Sequence, residues 1–210
     1  MRLVAVIALV LALLASPAAA ATAVIAPSAD VGLPFWCDWG YDWEERCYVD
    51  GGRRLPVGGV DDKVWRSALR FSLVPVPAGA TVTRARLRLY FDGVCVAPRL
   101  ASVRCGPRGY TLDAHRILSS DWFDEREVEL DDVAAASTTL PGGAAPGWLT
   151  WDVTALVRAW HRRLVPNYGL LLKLAEEEED FDVGGPYLPS SSFADLRLRP
   201  RLAVEYLPPG

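Results

Sequence analysis

The chain predicts an all-β fold, a jelly-roll-like antiparallel β-sandwich that carries one short amphipathic helix at about residues 152–163. Three observations predict it. Segments 65–73 and 81–91 alternate apolar and polar residues at the period of a half-buried strand. A single helical stripe stands between a short aromatic run and a wholly apolar run in residues 147–174. Pro/Gly-rich breaks punctuate the rest, and one helix among many strands argues against an alternating α/β layout.

In chain order, segment 65–73 places Leu69, Phe71 and Leu73 on one side and Arg66, Ala68, Arg70 and Ser72 on the other. Pro75, Pro77 and Gly79 then break the chain, as a hairpin or an inter-sheet connection would. In segment 81–91, Val82, Ala85, Leu87, Leu89 and Phe91 fall mainly on one face, and Arg84, Arg86, Arg88 and Tyr90 on the other. Further strands are expected at 110–118 and 127–130, with a Pro/Gly-rich loop at 138–147. Trp148, Leu149 and Trp151 read as a short strand, and Asp152 or Thr154 can cap the helix that follows. Val153, Leu156, Val157 and Trp160 fall at i, i+3, i+4 and i+7, so this helix must dock on a core. His161, Arg162 and Arg163 suit a helix C-terminus, and Pro166 stops it before the apolar strand 168–174. The closing strand, 202–206, is expected to pair near the N-terminal one.

Residues 1–20 carry Arg2, an apolar run and an Ala18-Ala19-Ala20 close, the layout of a secretory signal peptide. The run is shorter than the roughly 20 residues that span a bilayer, and no later segment comes closer. Removal leaves a single expected domain, residues 21–210, predicted to be secreted and extracellular with no membrane span. Cys37, Cys47, Cys95 and Cys105 form two pairs of identical separation, and an exported compartment permits disulfides. Four cysteines allow three connectivities. The local pairing Cys37–Cys47 and Cys95–Cys105 is favoured, because each pair brackets a turn-rich insertion. Zinc is the competing reading, but neither pair has CxxC spacing and no histidine lies beside them.

The formal charge is −4, and loss of Arg2 makes it −5, so no net basic surface exists to drive counterion release on nucleic acid. Catalysis finds little to work with. His115 and His161 read as a sheet residue and a helix-end charge, no GxSxG, HExxH or P-loop stands in context, and Ser190-Ser191-Ser192 has no assignable histidine. Asp121, Asp124 and Glu125 beside Trp122 read as a solvated turn rather than a glycosidase pair.

Two segments are candidate sites. In residues 35–48, Trp39, Tyr41 and Trp43 share one face of an extended chain beside Trp36, with Asp38, Asp42 and Glu44 opposite. Such a strip can stack on sugars while its carboxylates accept hydroxyl hydrogen bonds, or it can cap one end of the core. The acidic run at Glu176, Glu177, Glu178, Glu179 and Asp180 reads as a solvated loop or as a Ca²⁺ site using Glu176, Glu178 and Asp180.

A series of strings also runs along the chain: Ala29-Asp30-Val31, Leu55 to Gly58, Arg66 to Phe71, Pro77 to Val82, His115-Arg116, Trp122, Trp151 to Trp160, Asn167 to Leu172, and Pro200 to Tyr206. In this order they resemble the DNRLRE domain, also grouped as carbohydrate-binding module family 96. The resemblance departs at the two cysteine-flanked insertions and at the namesake string, whose counterpart here is Asp195-Leu196-Arg197-Leu198-Arg199. It implies a secreted, non-catalytic module that binds a polysaccharide or cell-envelope glycan, for which the aromatic strip at residues 35–48 is the candidate contact. The rival expectation is a structural or protein-interaction module whose partner is another exported protein.

Overall fold

In the computed structural model, which describes residues 19–34, 52–60, 63–97, 101–120, 128–177 and 184–209, the alternating segments become two facing antiparallel sheets. The first has four strands in the order β1 (Ala21–Ile25), β14 (Arg201–Leu207), β6 (Thr81–Phe91) and β11 (Gly147–Asp152). The second runs β10 (Ala136–Leu140), β9 (Tyr110–Arg116), β12 (Leu170–Leu174), β5 (Lys63–Phe71) and β2 (Pro27–Pro34), and β4 (Gly58–Val60) also pairs with β5. Two ribbons complete the described strands: β3 (Arg54–Pro56) with β13 (Tyr187–Pro189), and β7 (Val94–Ala97) with β8 (Ala101–Arg104). The chain bends through Ala26 from β1 into β2, and through 141–146 from β10 into β11. Each flank of the sandwich is therefore closed by a strand that changes sheet.

Between the sheets lies one apolar cluster. It includes Leu87, Leu89 and Phe91 of β6, Leu202 and Val204 of β14, Leu69 and Phe71 of β5, and Leu170 and Leu172 of β12. Fully burying one such side chain stabilises by about 1.5–3 kcal/mol, which is why the period-two pattern decides the face each strand turns inward. Trp151 of β11 is fully buried and donates its indole N–H to the Leu112 carbonyl of β9 at 2.9 Å, a polar tie across the core. A second cluster, Val31, Leu33, Ala68, Ile117 and Leu171 with Val128, Leu130 and Tyr168, covers the outer face of the larger sheet.

β6 carries a bulge. Its pairing with β14 passes from Arg84↔Glu205 to Val82↔Tyr206, leaving Thr83 as the extra residue. The helix α1 (Thr154–His161) docks there: Arg158 donates from Nε to the Val82 carbonyl and from Nη2 to the Thr83 carbonyl, each at 2.7 Å. Val153, Val157 and Trp160 are buried and Leu156 is half-buried, all in the central cluster with Val76 and Ala80 of the β5–β6 connection. The apolar stripe thus closes one end of the core.

The helix is shorter than the expected 152–163. Asp152 ends β11, where its carboxylate accepts the Thr154 N–H at 3.0 Å, and Val153 rather than Asp152 or Thr154 is the N-cap. At the other end Arg163 adopts φ 57°, its N–H bonds the Trp160 carbonyl, and the Leu164 N–H reaches Ala159, which closes the helix in a Schellman turn. Two further expectations are corrected. Residues 136–140, partly assigned to a loop, pair along β9 as strand β10, because Ser137, Thr138 and Thr139 suit an edge and the Pro/Gly signal begins only at Pro141. The expected strand 127–130 supplies, among its described residues, a single bridge between Leu130 and Ile117, and its apolar side chains lie over the outer face of the larger sheet.

A second fastening point lies where residues 57–59, 184–186 and β7 meet. Val57 and Val96 N–H groups bond the Pro186 and Gly185 carbonyls, and Gly184 N–H bonds Gly59. A Cβ on Gly58, at φ 127°, would stand 2.1 Å from the Gly184 oxygen, and one on Gly185, at φ 158°, 1.8 Å from the Val57 oxygen. Only glycine fits both. Cys95, buried beside this crossing, is bridged to Cys105 with the Cα atoms 4.9 Å apart.

Two stability predictions follow from these contacts. Trp151→Phe removes the indole bond to the Leu112 carbonyl and should cost about 0.5–1.5 kcal/mol more than Trp160→Phe, because the Trp160 Nε1 has no partner to lose. Equal losses in denaturant melts would show that the cross-sheet bond contributes nothing. Gly185→Ala should destabilise by roughly 3 kcal/mol or more through overpacking against backbone, and a thermal melt matching the parent would refute it.

Candidate interaction face

The described charged groups fall mostly into clusters that satisfy themselves. Arg54 meets the Asp92 carboxylate with both guanidinium nitrogens, donates to the Tyr187 carbonyl, and lies over the Tyr187 and Phe193 rings. Arg66 pairs with Glu177, which also takes Lys173 at 3.1 Å. Arg116 holds Asp131 through two bonds, at 2.7 and 3.0 Å, and its guanidinium keeps that carboxyl below the usual range. Asp195 caps the 3-10 turn Leu196–Leu198 and is drawn down to about 2 by Arg197.

The outer face of the four-stranded sheet is different. Past the bulge, β6 turns Arg84, Arg86, Arg88 and Tyr90 outward; β11 adds Trp148, Thr150 and Asp152; β14 adds Arg201, Ala203 and Glu205; and β1 adds Thr22 and Val24. None of these is buried, whereas the opposite sheet's outer face is sealed by its own chain. Arg88 stands directly across from Arg201 in the β6–β14 register. Like charges so placed repel, and the indole of Trp148 offsets this: the Arg201 and Arg88 guanidinium carbons lie 3.9 and 4.9 Å from its ring centroid. Tyr90 meets the same indole edge-on at 5.3 Å. Burial, and then the charge of Arg88, push the Arg201 guanidinium down from its ordinary value. Its Nε is buried with no hydrogen-bond partner. Among the described residues none of Arg84, Arg86, Arg88 and Arg201 has an ion pair, although the fields of Arg84 and Arg86 reach Asp152.

The sequence-derived candidates lie elsewhere. Trp36, Cys37, Asp38, Trp39, Tyr41, Asp42, Trp43 and Cys47 fall outside the described residues, as do Glu178, Asp180, Asp121, Asp124 and Glu125. Glu176 is exposed, and in the acidic run it is Glu177 that is engaged, by the two cations above. No group of three His, Cys, Asp or Glu side chains among the described residues is placed to hold a metal ion. His115 and His161 each donate to a backbone carbonyl, of Asp131 and Pro77, at 2.8 and 2.9 Å. Ser190 bonds Gly52, and Ser191 bonds Asp30. No described helix is long and apolar enough to cross a membrane.

Fold and face together define an antiparallel β-sandwich in which the described residues cover the outer face of one sheet and leave that of the other open. The chain belongs to the TGF-beta propeptide family, whose model matches residues 54–184, more than half of its length. Among curated proteins none matches the chain. The family assignment corrects the likeness to the DNRLRE domain and carbohydrate-binding module family 96, and with it the expectation of polysaccharide or glycan binding. The strings behind that likeness are fold determinants: Arg66 to Phe71 is β5, Trp151 to Trp160 joins β11 to α1, and Leu202 to Tyr206 lies in β14. Patterns set by the packing of strands and helix report the fold and not a ligand. The namesake counterpart is a turn held by its own Asp195–Arg197 pair.

Two carboxyls at opposite sheets sit below their ordinary value, Asp131 through Arg116 and Asp152 through the Thr154 hydroxyl and amide. A depressed carboxyl stabilises the fold above its unfolded value, about pH 4, and loses that contribution as pH falls through its folded value. The melting temperature of Asp131→Asn should therefore lie below the parent at neutral pH and converge on it as the pH falls below about 4. Parallel curves would exclude the linkage.

Proposed function

We propose that the chain is an exported protein-interaction module, which acts by holding another polypeptide and performs no chemistry of its own. The observation that carries this reading is the family match across residues 54–184, the body of the sandwich. Propeptides of this family accompany a growth factor, and by that analogy the partner here is a second exported protein. A leader-like segment at residues 1–20 and the Cys95–Cys105 bridge support export to an oxidising compartment. The described residues fit binding better than catalysis, because both histidines and Ser190 and Ser191 are occupied by structural hydrogen bonds.

The test is capture from the medium of the cells that export the chain, using a tagged full-length protein and amine cross-linking. One polypeptide should be recovered in fixed stoichiometry and identified by mass spectrometry. Recovery of the chain alone, or retention on a polysaccharide affinity gel with no polypeptide bound, would overturn the reading.

A further inference from the structure

The row Arg84, Arg86 and Arg88 was legible as one face of a strand, and among the described residues no carboxylate pairs with it. On that face four guanidiniums stand against two carboxylates, Asp152 and Glu205, in a chain whose formal charge is −4. Sequestering positive charge on one open sheet of an acidic protein costs self-repulsion, and nothing among the described residues neutralises Arg88 or Arg201. The Trp148 indole holds both guanidiniums over its ring, and the Arg201 Nε is left buried and unpaired. A side chain fixed in place before its anion arrives loses less entropy on binding.

We propose that the outer face of the β1-β14-β6-β11 sheet is the docking site for an extended acidic segment of the partner polypeptide, whose alternate carboxylates meet Arg84, Arg86, Arg88 and Arg201. Spacing selects this occupant. Outward residues on β6 recur every second position, about 7 Å apart, and an extended peptide presents its own alternate side chains at the same interval. Arginine suits the role because its planar fork meets a carboxylate with two parallel hydrogen bonds. None of the face's residues is buried, so the attraction falls with salt and favours fast encounter. The inference rests on the protein-binding reading and adds to it both a surface and a partner chemistry.

The probe is a fluorescein-labelled synthetic peptide of alternating glutamate and threonine, about four of each, titrated by anisotropy against the whole exported chain at low salt. Its control has the same composition with the glutamates in one block. The alternating peptide should bind several-fold more tightly than the blocked one. The double substitution Arg86→Ser with Arg88→Ser should weaken it by about tenfold. If that variant melts early, Arg84→Ser, at an exposed position without an ion pair, replaces it and should weaken binding by a few-fold. Equal binding of both peptides, or parent-like binding by the variants, overturns the proposal. Displacement by heparin at lower concentration than by the blocked peptide would mark a general polyanion surface and overturn it as well. Capture of the same natural polypeptide by parent and double variant alike would remove this face and leave the protein-binding reading standing. Failure of the parent to capture any polypeptide would remove both.

Discussion

At Thr83, β6 holds one residue more than β14 does, and both faces of the four-stranded sheet follow from that insertion. Val82 lies inward before it, and Ala85, Leu87, Leu89 and Phe91 lie inward after it. Were Thr83 paired in the regular register instead of bulged, the parity set by Val82 would turn Arg84, Arg86 and Arg88 into the core, at a large desolvation cost. The bulge also frees the two carbonyls that Arg158 occupies, so the irregularity in the strand is what seats the helix. Helix, core and arginine row are three results of one backbone feature.

The contrast between the charge clusters gives the open face its meaning. Arg54, Arg66 and Arg116 are each matched to a carboxylate 38, 111 and 15 positions away, and each ties a strand to a connecting segment. Arg88 and Arg201 are instead held to each other's neighbourhood by an aromatic ring, which orders cations without cancelling their charge. The molecule therefore combines fixed geometry with unspent electrostatic capacity on a sheet face that the described residues leave uncovered.

Local pattern made much of this visible in the sequence. The strand 81–91 keeps the limits its alternation implies, and the helical stripe of Val153, Val157 and Trp160 is buried as its spacing requires. What was not legible depends on distant partners. β10 owes its extended form to lateral pairing with β9, and the helix ends are set by the pairing of Asp152 with Arg86 and by the left-handed Arg163. The interaction face shows the same division. Its arginine row lies in one strand, but Trp148 and Arg201 join it only through registers linking residues some sixty and more than a hundred positions apart. Aromatic residues clustered at 36–43 drew the sequence reading to themselves because they are neighbours in the chain, whereas Trp148 is an isolated tryptophan until β11 pairs with β6.

The neighbouring of β1 and β14 has a kinetic side. Ala21 to Ile25 pair with Tyr206 to Leu202, so the opening strand of the sandwich completes its ladder only against a strand about 180 positions further along the chain. Loop-closure entropy for so long a separation must be met before that contact returns anything, which slows the closing step. Until then β14's place beside β6 is a bare ladder edge, with the row of arginines beside it. Those cations repel a second copy of the same edge, so a surface suited to recognition in the finished protein also guards the unfinished one against self-association.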